Sequence, residues 1–386
     1  MNVLIICEHY SPNLGDQLIS KAMSELFGKS CNVIKFDLSL RSEDTEHSFG
    51  FSSKTAISKI ITSLLKRDYL SPYIGHLIWA WRSKKNYYAS LEKKIIKCDF
   101  VVIGGGQIIT EHFFSFSQKM KVINDLCLKH GRPYAIFSCG VGDKFTHWGR
   151  YIYKRLFEKA SYVSLRDPIS LERARRFFNI KRKIEIVPDS AFGLGLKKEE
   201  KSGCNIGIVV QCREEFNAKL EKSQRVTHEE FTNFYVCYIA HMRDVFNEQS
   251  FSIFTNGAPA DRLEARNVWL AAKKKYPNLD IDLSEPENLD QLINLYMSCK
   301  AVLCSRMHAG ILSYILNVPF AQLVWDKKIR GVWKQLRLDG ELNDAQVIKE
   351  NNSFKDISYI HPECLEEERR LLQISSKKCL SLMRDR

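Results

Sequence analysis

Val302-Leu-Cys-Ser-Arg-Met-His-Ala-Gly-Ile-Leu-Ser-Tyr-Ile-Leu-Asn-Val-Pro-Phe320 decides the fold of this chain. Ala301 to Cys304 reads as a short buried strand that stops at the polar loop Ser305-Arg306-Met307-His308. A run of small and apolar residues follows and ends at Asn317-Val318-Pro319, as a helix does. Strand, loop and helix N-terminus form the unit from which open α/β sheets are built. Ligands collect outside the carboxyl ends of such strands, where a helix start offers unpaired N–H groups and a positive dipole to an anion. An arginine can clamp a carboxylate or phosphate with two prongs, and a histidine can move a proton near neutral pH. Arg306 and His308 therefore suit a phosphorylated acid. The plainer alternative is a salt bridge by Arg306 and a helix cap by His308.

Upstream, the same unit recurs. Asn2 to Cys7 is an apolar strand, and the turn after it holds Asn13-Leu-Gly-Asp16, with a helix expected over Leu18 to Phe27. Asp16 is either the N-cap of that helix or an acid lining a cleft at a strand end. Asn32 to Asp37 is a second strand. Asp99 to Ile103 runs into Gly104-Gly105-Gly106, where backbone can come close to a ligand and N–H groups can converge on an anion. The triplet matches neither a dinucleotide fingerprint nor a P-loop. Tyr134 to Gly142 is another strand ending in glycines. Tyr162 to Leu165 precedes Arg166-Asp167-Pro168-Ile-Ser170, in which Asp167 is the expected N-cap and Arg166 has no such local task. Ile184 to Ala191, with Asp189, closes the series.

Lys197 to Gly203 is charged, polar and free of large apolar residues, and is the expected linker. Asn205 to Val210 restarts the pattern as the first strand of a second domain. Helices are expected at Phe231 to Phe246, Asp261 to Tyr276 and Leu289 to Ser298, and strands at Phe251 to Thr255 and Phe320 to Trp325. These alternations predict two Rossmann-like, doubly wound α/β domains, 1–196 and 204–345. A tail, 346–386, contains a charged amphipathic helix from Pro362 that is expected to cross back onto the first domain.

The chain has 386 residues, enough for two cores, with 45% hydrophobic and 27% charged residues. A net charge of +13 points to anionic partners such as nucleic acid, an acidic glycan, an anionic membrane surface or a phosphorylated small molecule. The 12 cysteines show no Cys-x-x-Cys pair and no zinc spacing, so they read as reduced thiols of a cytoplasmic protein. No stretch approaches the roughly 20 apolar residues of a membrane span. The segment Ile57 to Trp81 mixes bulky apolar residues with Lys59, Lys66, Arg67 and Arg82 beside it. It reads as a helical layer packed on its own domain, or else as a basic amphipathic surface for a membrane.

Taken together, the motifs resemble the polysaccharide pyruvyl transferase family across about residues 1–340. They are Asn13-x-Gly15-Asp16, Gly104–Gly106, Gly140-x-Gly142, Arg166-Asp167-x-x-Ser170, Pro188-Asp189-x-Ala191, and Arg306-x-His308 followed by Val318-Pro319, in the family's order. Ser190, Met307 and Thr110 depart from the residues more usual there. The resemblance implies an arrangement like the GT-B glycosyltransferases with the site in the interdomain cleft, phosphoenolpyruvate as donor and a saccharide, lipid-linked or free, as acceptor. The product it implies is a pyruvate ketal on two hydroxyls of one sugar, with phosphate released.

A donor so anionic needs converging cations. Arg306 and Arg166 are the candidates, with Lys328 a third and N–H groups around Met307 and His308 and along Gly104, Gly105 and Gly106 adding dipole. His308 is the candidate acid that protonates the donor's methylene carbon. Asp16 or Asp189 is the candidate base for a sugar hydroxyl. No metal or other cofactor is expected. A nucleotide-sugar glycosyltransferase of the same architecture is one rival, weakened by the lack of a Glu-x7-Glu pattern around 305–319. A non-catalytic binder of anionic glycan or nucleic acid is the other. It is weakened by dispersed basic residues and by the lack of an aromatic-rich RNA-binding or zinc-finger pattern, and no nucleic-acid partner is expected.

Overall fold

The computed structural model describes residues 1–42, 79, 84–111, 115–196, 203–344, 348, 360 and 366–384. Most of Ile57 to Trp81 and the linker 197–202 lie outside them. Two compact units emerge. The first comprises Met1–Tyr10, Ile19–Gly193 and Glu368–Arg386, and the second comprises Ser11–Leu18 and Leu194–Glu367.

The first unit holds a six-stranded sheet in the order β2-β1-β3-β4-β5-β6. Its strands are β1 (Asn2–Cys7), β2 (Asn32–Asp37), β3 (Phe100–Gly104), β4 (Tyr134–Cys139), β5 (Tyr162–Leu165) and the short β6 (Glu185–Ile186). Every pairing is parallel. Parallel strands covered on both faces lose the polar alternation of a half-exposed strand. That is why Val3 to Ile6 and Val101 to Ile103 are apolar at every position and fully buried. The connecting helices are α1 (Leu14–Gly28), α2 (Lys84–Ile95), α3 (Ser115–Lys129), α4 (His147–Lys159) and α5 (Pro168–Phe178). Asp167 caps α5 as its position suggests, accepting the Ser170 N–H at 2.6 Å with Pro168 in the first turn, and Asn179 closes it in the left-handed conformation. The C-terminal helix, numbered α12 below, docks here through a buried contact between Tyr162 and Ser375 and an ion pair of Lys378 with Glu185.

The second unit has the order β12-β11-β10-β7-β8-β9, again parallel throughout. Its strands are β7 (Asn205–Val209), β8 (Ser250–Phe254), β9 (Asp280–Ser284), β10 (Cys299–Cys304), β11 (Phe320–Val324) and β12 (Asn343–Asp344). Its helices are α6 (Arg213–Lys219), α7 (His228–Phe246), α8 (Pro259–Lys275), α9 (Leu289–Met297), α10 (Met307–Ile315) and α11 (Lys327–Gln335), and α12 spans Glu366–Arg384. A capping box between Thr227 and Glu230 starts α7 three residues before the apolar run from which the sequence places it.

Counting from β7, the strand order of the second unit is 3-2-1-4-5-6, the dinucleotide-fold order. It reverses between β7 and β10. At such a reversal the connections leave to opposite faces, and the carboxyl edge is where open α/β sheets form a crevice.

Segment Ser11–Leu18, which the sequence reading keeps in the N-terminal domain, groups with the second unit for identifiable reasons. The Leu14 N–H donates to the Asn256 carbonyl at 2.7 Å. Gly257, at φ +89°, lets the loop after β8 close on the segment, since a Cβ there would lie 2.7 Å from the Pro12 carbonyl oxygen.

Candidate active site

At the β7/β10 reversal, Val209 and Cys304 are register partners, so the residues two positions on, Gln211 and Arg306, leave the sheet at neighbouring places. Arg306 stands just before α10 and makes no side-chain cap. Its Nε donates to Asp261 Oδ2 at 2.9 Å, its Nη2 to Asp261 Oδ1, and its Nη1 to Glu215 Oε2 at 2.6 Å. Asp261, in the first turn of α8, is fully buried and also takes the Cys212 N–H at 2.7 Å, tying the ends of β7 and β10 together. Burial works against the Arg306 charge, but Asp261 and Glu215 outweigh it and hold the pKa above the ordinary arginine value.

Met307 buries its side chain and leaves only backbone for the site. His308 follows, half-buried in the first turn of α10. It packs on Gly15 so closely that a Cβ there would lie 2.8 Å from His308 Nδ1. Next to Gly15 is Asp16, half-buried, whose Oδ2 accepts the Ser11 hydroxyl at 2.9 Å. Burial raises its pKa, and His308, Ser11, Lys328 and Arg306 pull the other way. Asp16 is not the N-cap of α1. The helix begins at Leu14, and Asn13 Oδ1 takes the Gly15 N–H at 3.0 Å, which leaves Asp16 to face His308.

Lys328 is the second residue of α11, with its N–H on Asp326 Oδ1 and its Nζ 3.7 Å from Asp326 Oδ2 and 5.3 Å from the Trp325 ring centroid. The second unit thus assembles Asp16, Arg306, Met307, His308 and Lys328, with the cations balanced by acids: Asp261 and Glu215 on Arg306, Asp326 on Lys328.

The first unit assembles the remaining candidates. Arg166, read from sequence as lacking a local task, has one. It is fully buried, with Nη1 on Asp189 Oδ2 at 3.0 Å and Nε on Asp167 Oδ2 at 3.4 Å. Its guanidinium lies over Gly140, where a Cβ would meet Nε at 2.7 Å. Asp189 spends its other oxygen on the Ala191 N–H at 3.0 Å. The glycine triplet is closely packed. A Cβ on Gly104 would meet Met23 at 2.4 Å, and one on Gly105 would meet Ile19 at 2.1 Å. Gly105 and Gly106 both have positive φ, and the Gly105 N–H is bonded to the Phe137 carbonyl at 3.0 Å. The three glycines admit α1 against the sheet.

Three residues escaped the sequence reading. Asp261 and Glu215 look like ordinary helix-start acids until the fold brings Arg306 to them. Gln211 follows an apolar strand with nothing local to mark it, yet it is fully buried and neither amide atom has a partner among the described residues. A buried polar group left unmade costs about 1–3 kcal/mol.

The model of the family described as polysaccharide pyruvyl transferase matches residues 13–327, most of the chain. The chain belongs to the polysaccharide pyruvyl transferase family. No curated protein matches it. Among solved structures, this family member is similar to the Neisseria meningitidis UDP-GlcNAc 2-epimerase bound to UDP-GlcNAc, at 12% identity and TM-score 0.52, covering 99% of this chain and 100% of the other. The Methanocaldococcus jannaschii UDP-GlcNAc 2-epimerase gives 13% identity and TM-score 0.47, covering 98% and 100%. The E. coli ADP-heptose LPS heptosyltransferase II gives 14% and 0.37, covering 98% and 100%. At such identity the first likeness shows the fold alone, two Rossmann-like units of the GT-B kind.

Proposed function

We propose that this transferase moves a pyruvyl group from phosphoenolpyruvate onto two hydroxyls of one sugar of a surface or capsular polysaccharide, or of its lipid-linked precursor. His308 protonates C3 of the donor, which makes C2 electrophilic. Asp16 takes the proton of the first sugar hydroxyl as its oxygen bonds to C2. The C2–O bond to phosphate then breaks, phosphate leaves with the proton that Asp16 took up, and the second hydroxyl closes the ketal as the freed Asp16 takes its proton. His308 regains a proton from the medium. No step in this scheme calls for a metal or cofactor.

The observation that carries this reading is the seating of His308 against Gly15 and Asp16 beside Arg306, at the strand reversal of a chain whose family is pyruvyl transfer. A raised Asp16 pKa makes it the stronger base of the two candidates, since Asp189 is committed to Arg166. Arg306 engages the anionic donor through the N–H groups it now directs at Glu215, whose side chain is 53% exposed and free to turn outward. Acceptor-dependent phosphate release from phosphoenolpyruvate, with the saccharide gaining one pyruvate ketal in mass, tests the reading. Consumption of a nucleotide sugar with phosphoenolpyruvate untouched would replace it.

We place the enzyme in the cytoplasm, resting on the inner face of the membrane. Among the described residues, no helix is long and apolar enough to cross a membrane. Helix α4 supports a peripheral contact. Trp148 and Tyr151 are exposed and stacked at 5.6 Å, and Lys144, Arg150 and Arg155 are exposed around them. Amphipathic rings flanked by cations suit an anionic interface. Flotation with phosphatidylglycerol vesicles should carry the protein, and the Trp148→Ser/Tyr151→Ser variant should stay behind. Equal flotation of both would remove α4 from this role.

A further inference from the structure

Gln211 lies two residues past Val209, at the reversal between β7 and β10, with no exposure to solvent and no partner among the described residues for Oε1 or Nε2. Three polar side chains at the same strand ends are occupied. The Ser305 hydroxyl donates to the Val209 carbonyl at 2.5 Å, Trp325 Nε1 donates to the Ser305 carbonyl at 2.6 Å, and Asp261 holds both Cys212 N–H and Arg306. These bonds hold the strand ends without involving the amide. In this fold the crevice at the strand reversal is where ligands sit.

What the ligand must bring follows from the amide itself. Nε2 donates and Oε1 accepts, side by side on one planar edge. A carboxylate or phosphate only accepts, so it would meet Nε2 and leave Oε1 bare. A pair of sugar hydroxyls brings an acceptor oxygen and an O–H donor at matching separation.

We propose that Gln211 holds the hydroxyl pair of the acceptor sugar, Nε2 donating to one hydroxyl oxygen and Oε1 accepting from the other O–H. The assignment rests on the pyruvyl-transfer reading and deepens it, because the two hydroxyls so held are the two that the ketal joins. The ligand class is a neutral saccharide diol. Gln211 is thereby the residue that selects which diol reacts, while Arg306 and His308 act on the donor.

Gln211→Met tests this, since it removes both polar atoms at nearly constant volume. The melting temperature should rise by a few degrees, because two unmade buried groups disappear, while KM for the saccharide rises at least about tenfold. Affinity for phosphoenolpyruvate, measured by calorimetry, should stay unchanged. Gln211→Glu keeps the acceptor and loses the donor, and should weaken saccharide binding by a smaller factor. A lower melting temperature with unchanged saccharide KM would make the amide a structural group and overturn the proposal. A loss confined to phosphoenolpyruvate affinity would overturn it in favour of the donor. Ligand-observed NMR with methyl glycosides of glucose, galactose and mannose reads the diol site without turnover. Binding by wild type that is lost in Gln211→Met supports the proposal even where phosphoenolpyruvate proves not to be the donor. Equal binding by both proteins, or none by wild type, overturns it.

Discussion

Gly15 and His308 are in direct contact: a Cβ added to Gly15 would lie 2.8 Å from His308 Nδ1 and 2.9 Å from His308 Cβ. The second distance matters more. The imidazole can rotate away from a new methyl group, but its Cβ moves only if the first turn of α10 moves. Gly15→Ala is therefore expected to displace His308, the proposed proton donor, by a few tenths of an ångström or more. Misplacement of that kind lowers turnover by about ten- to a hundredfold. The check is the rate of acceptor-dependent phosphate release beside a thermal melt. Wild-type rates in a folded variant would mean that His308 does no chemistry from this seat.

Arg306 is bound by two acids of different character, and they should respond oppositely to removal. Asp261 is fully buried, so Asp261→Asn leaves a guanidinium largely uncompensated and is expected to cost about 3–5 kcal/mol of stability. Glu215 is on the surface and, under the proposed reaction, would compete with the anionic donor for Nη1. Glu215→Gln should leave the melt nearly unchanged, as surface pairs contribute about 1 kcal/mol or less, and should lower KM for phosphoenolpyruvate several-fold. A raised KM in Glu215→Gln would show that Glu215 orients Arg306 for the donor instead of occupying it.

The fold was legible because parallel strands announce themselves. Runs such as Val3 to Ile6 and Val101 to Ile103 have no other use, and glycine or charge marks where each one ends. Strand β9 escaped because its alternating acids, Asp280 and Asp282, suit the outer strand it proves to be and break the apolar run that marks a buried one. The candidate site was legible in its residue types and less so in their partners. Arg166, Arg306 and Lys328 all read as cations in search of an anion, since nothing local in sequence reveals acids from other elements. Only the packed sheet shows that Asp189 lies 3.0 Å from Arg166, or that Asp261 reaches Arg306 from 45 residues away. The glycine motifs likewise carry packing that only the fold reveals: the Arg166 guanidinium lies over Gly140 and the Met23 side chain over Gly104.

The two candidate bases separate cleanly. Asp16→Asn should cut turnover by about 10²–10⁴-fold with little loss of stability, because its carboxylate is held by a single neutral donor among the described residues, the Ser11 hydroxyl. Asp189→Asn should instead destabilise the first unit by about 3–5 kcal/mol, since Arg166 would lose its closest carboxylate in a buried setting. Because burial raises the Asp16 pKa, the acid limb of the rate profile should lie above the ordinary carboxylate value near 3.8. That limb should vanish in Asp16→Asn. A limb that survives the substitution would assign it, and the base, to another group.

His9 supplies the pH dependence of stability. Its ring is buried in the first unit, with Nε2 donating to the Ile5 carbonyl at 3.0 Å and Nδ1 accepting the Ser20 hydroxyl at 2.5 Å. A carbonyl can only accept, so the proton is on Nε2, and protonating Nδ1 would place a charge in this buried site and make the Ser20 hydroxyl turn to accept. Burial lowers the pKa from 6.5 to about 4. Above pH 6.5 the ring is neutral in both folded and unfolded chains, and its contribution is fully present. As pH falls from 6.5 to about 4 the unfolded chain takes up a proton that the folded one refuses, and stability declines by about 3 kcal/mol in all. Below that the effect is flat. His9→Gln keeps a donor and an acceptor without the titration, so its stability should hold through this window where wild type weakens. Thermal melts of the two proteins at pH 7.5, 6, 5 and 4 make the comparison, and curves that stay parallel would show that His9 is not the titrating group.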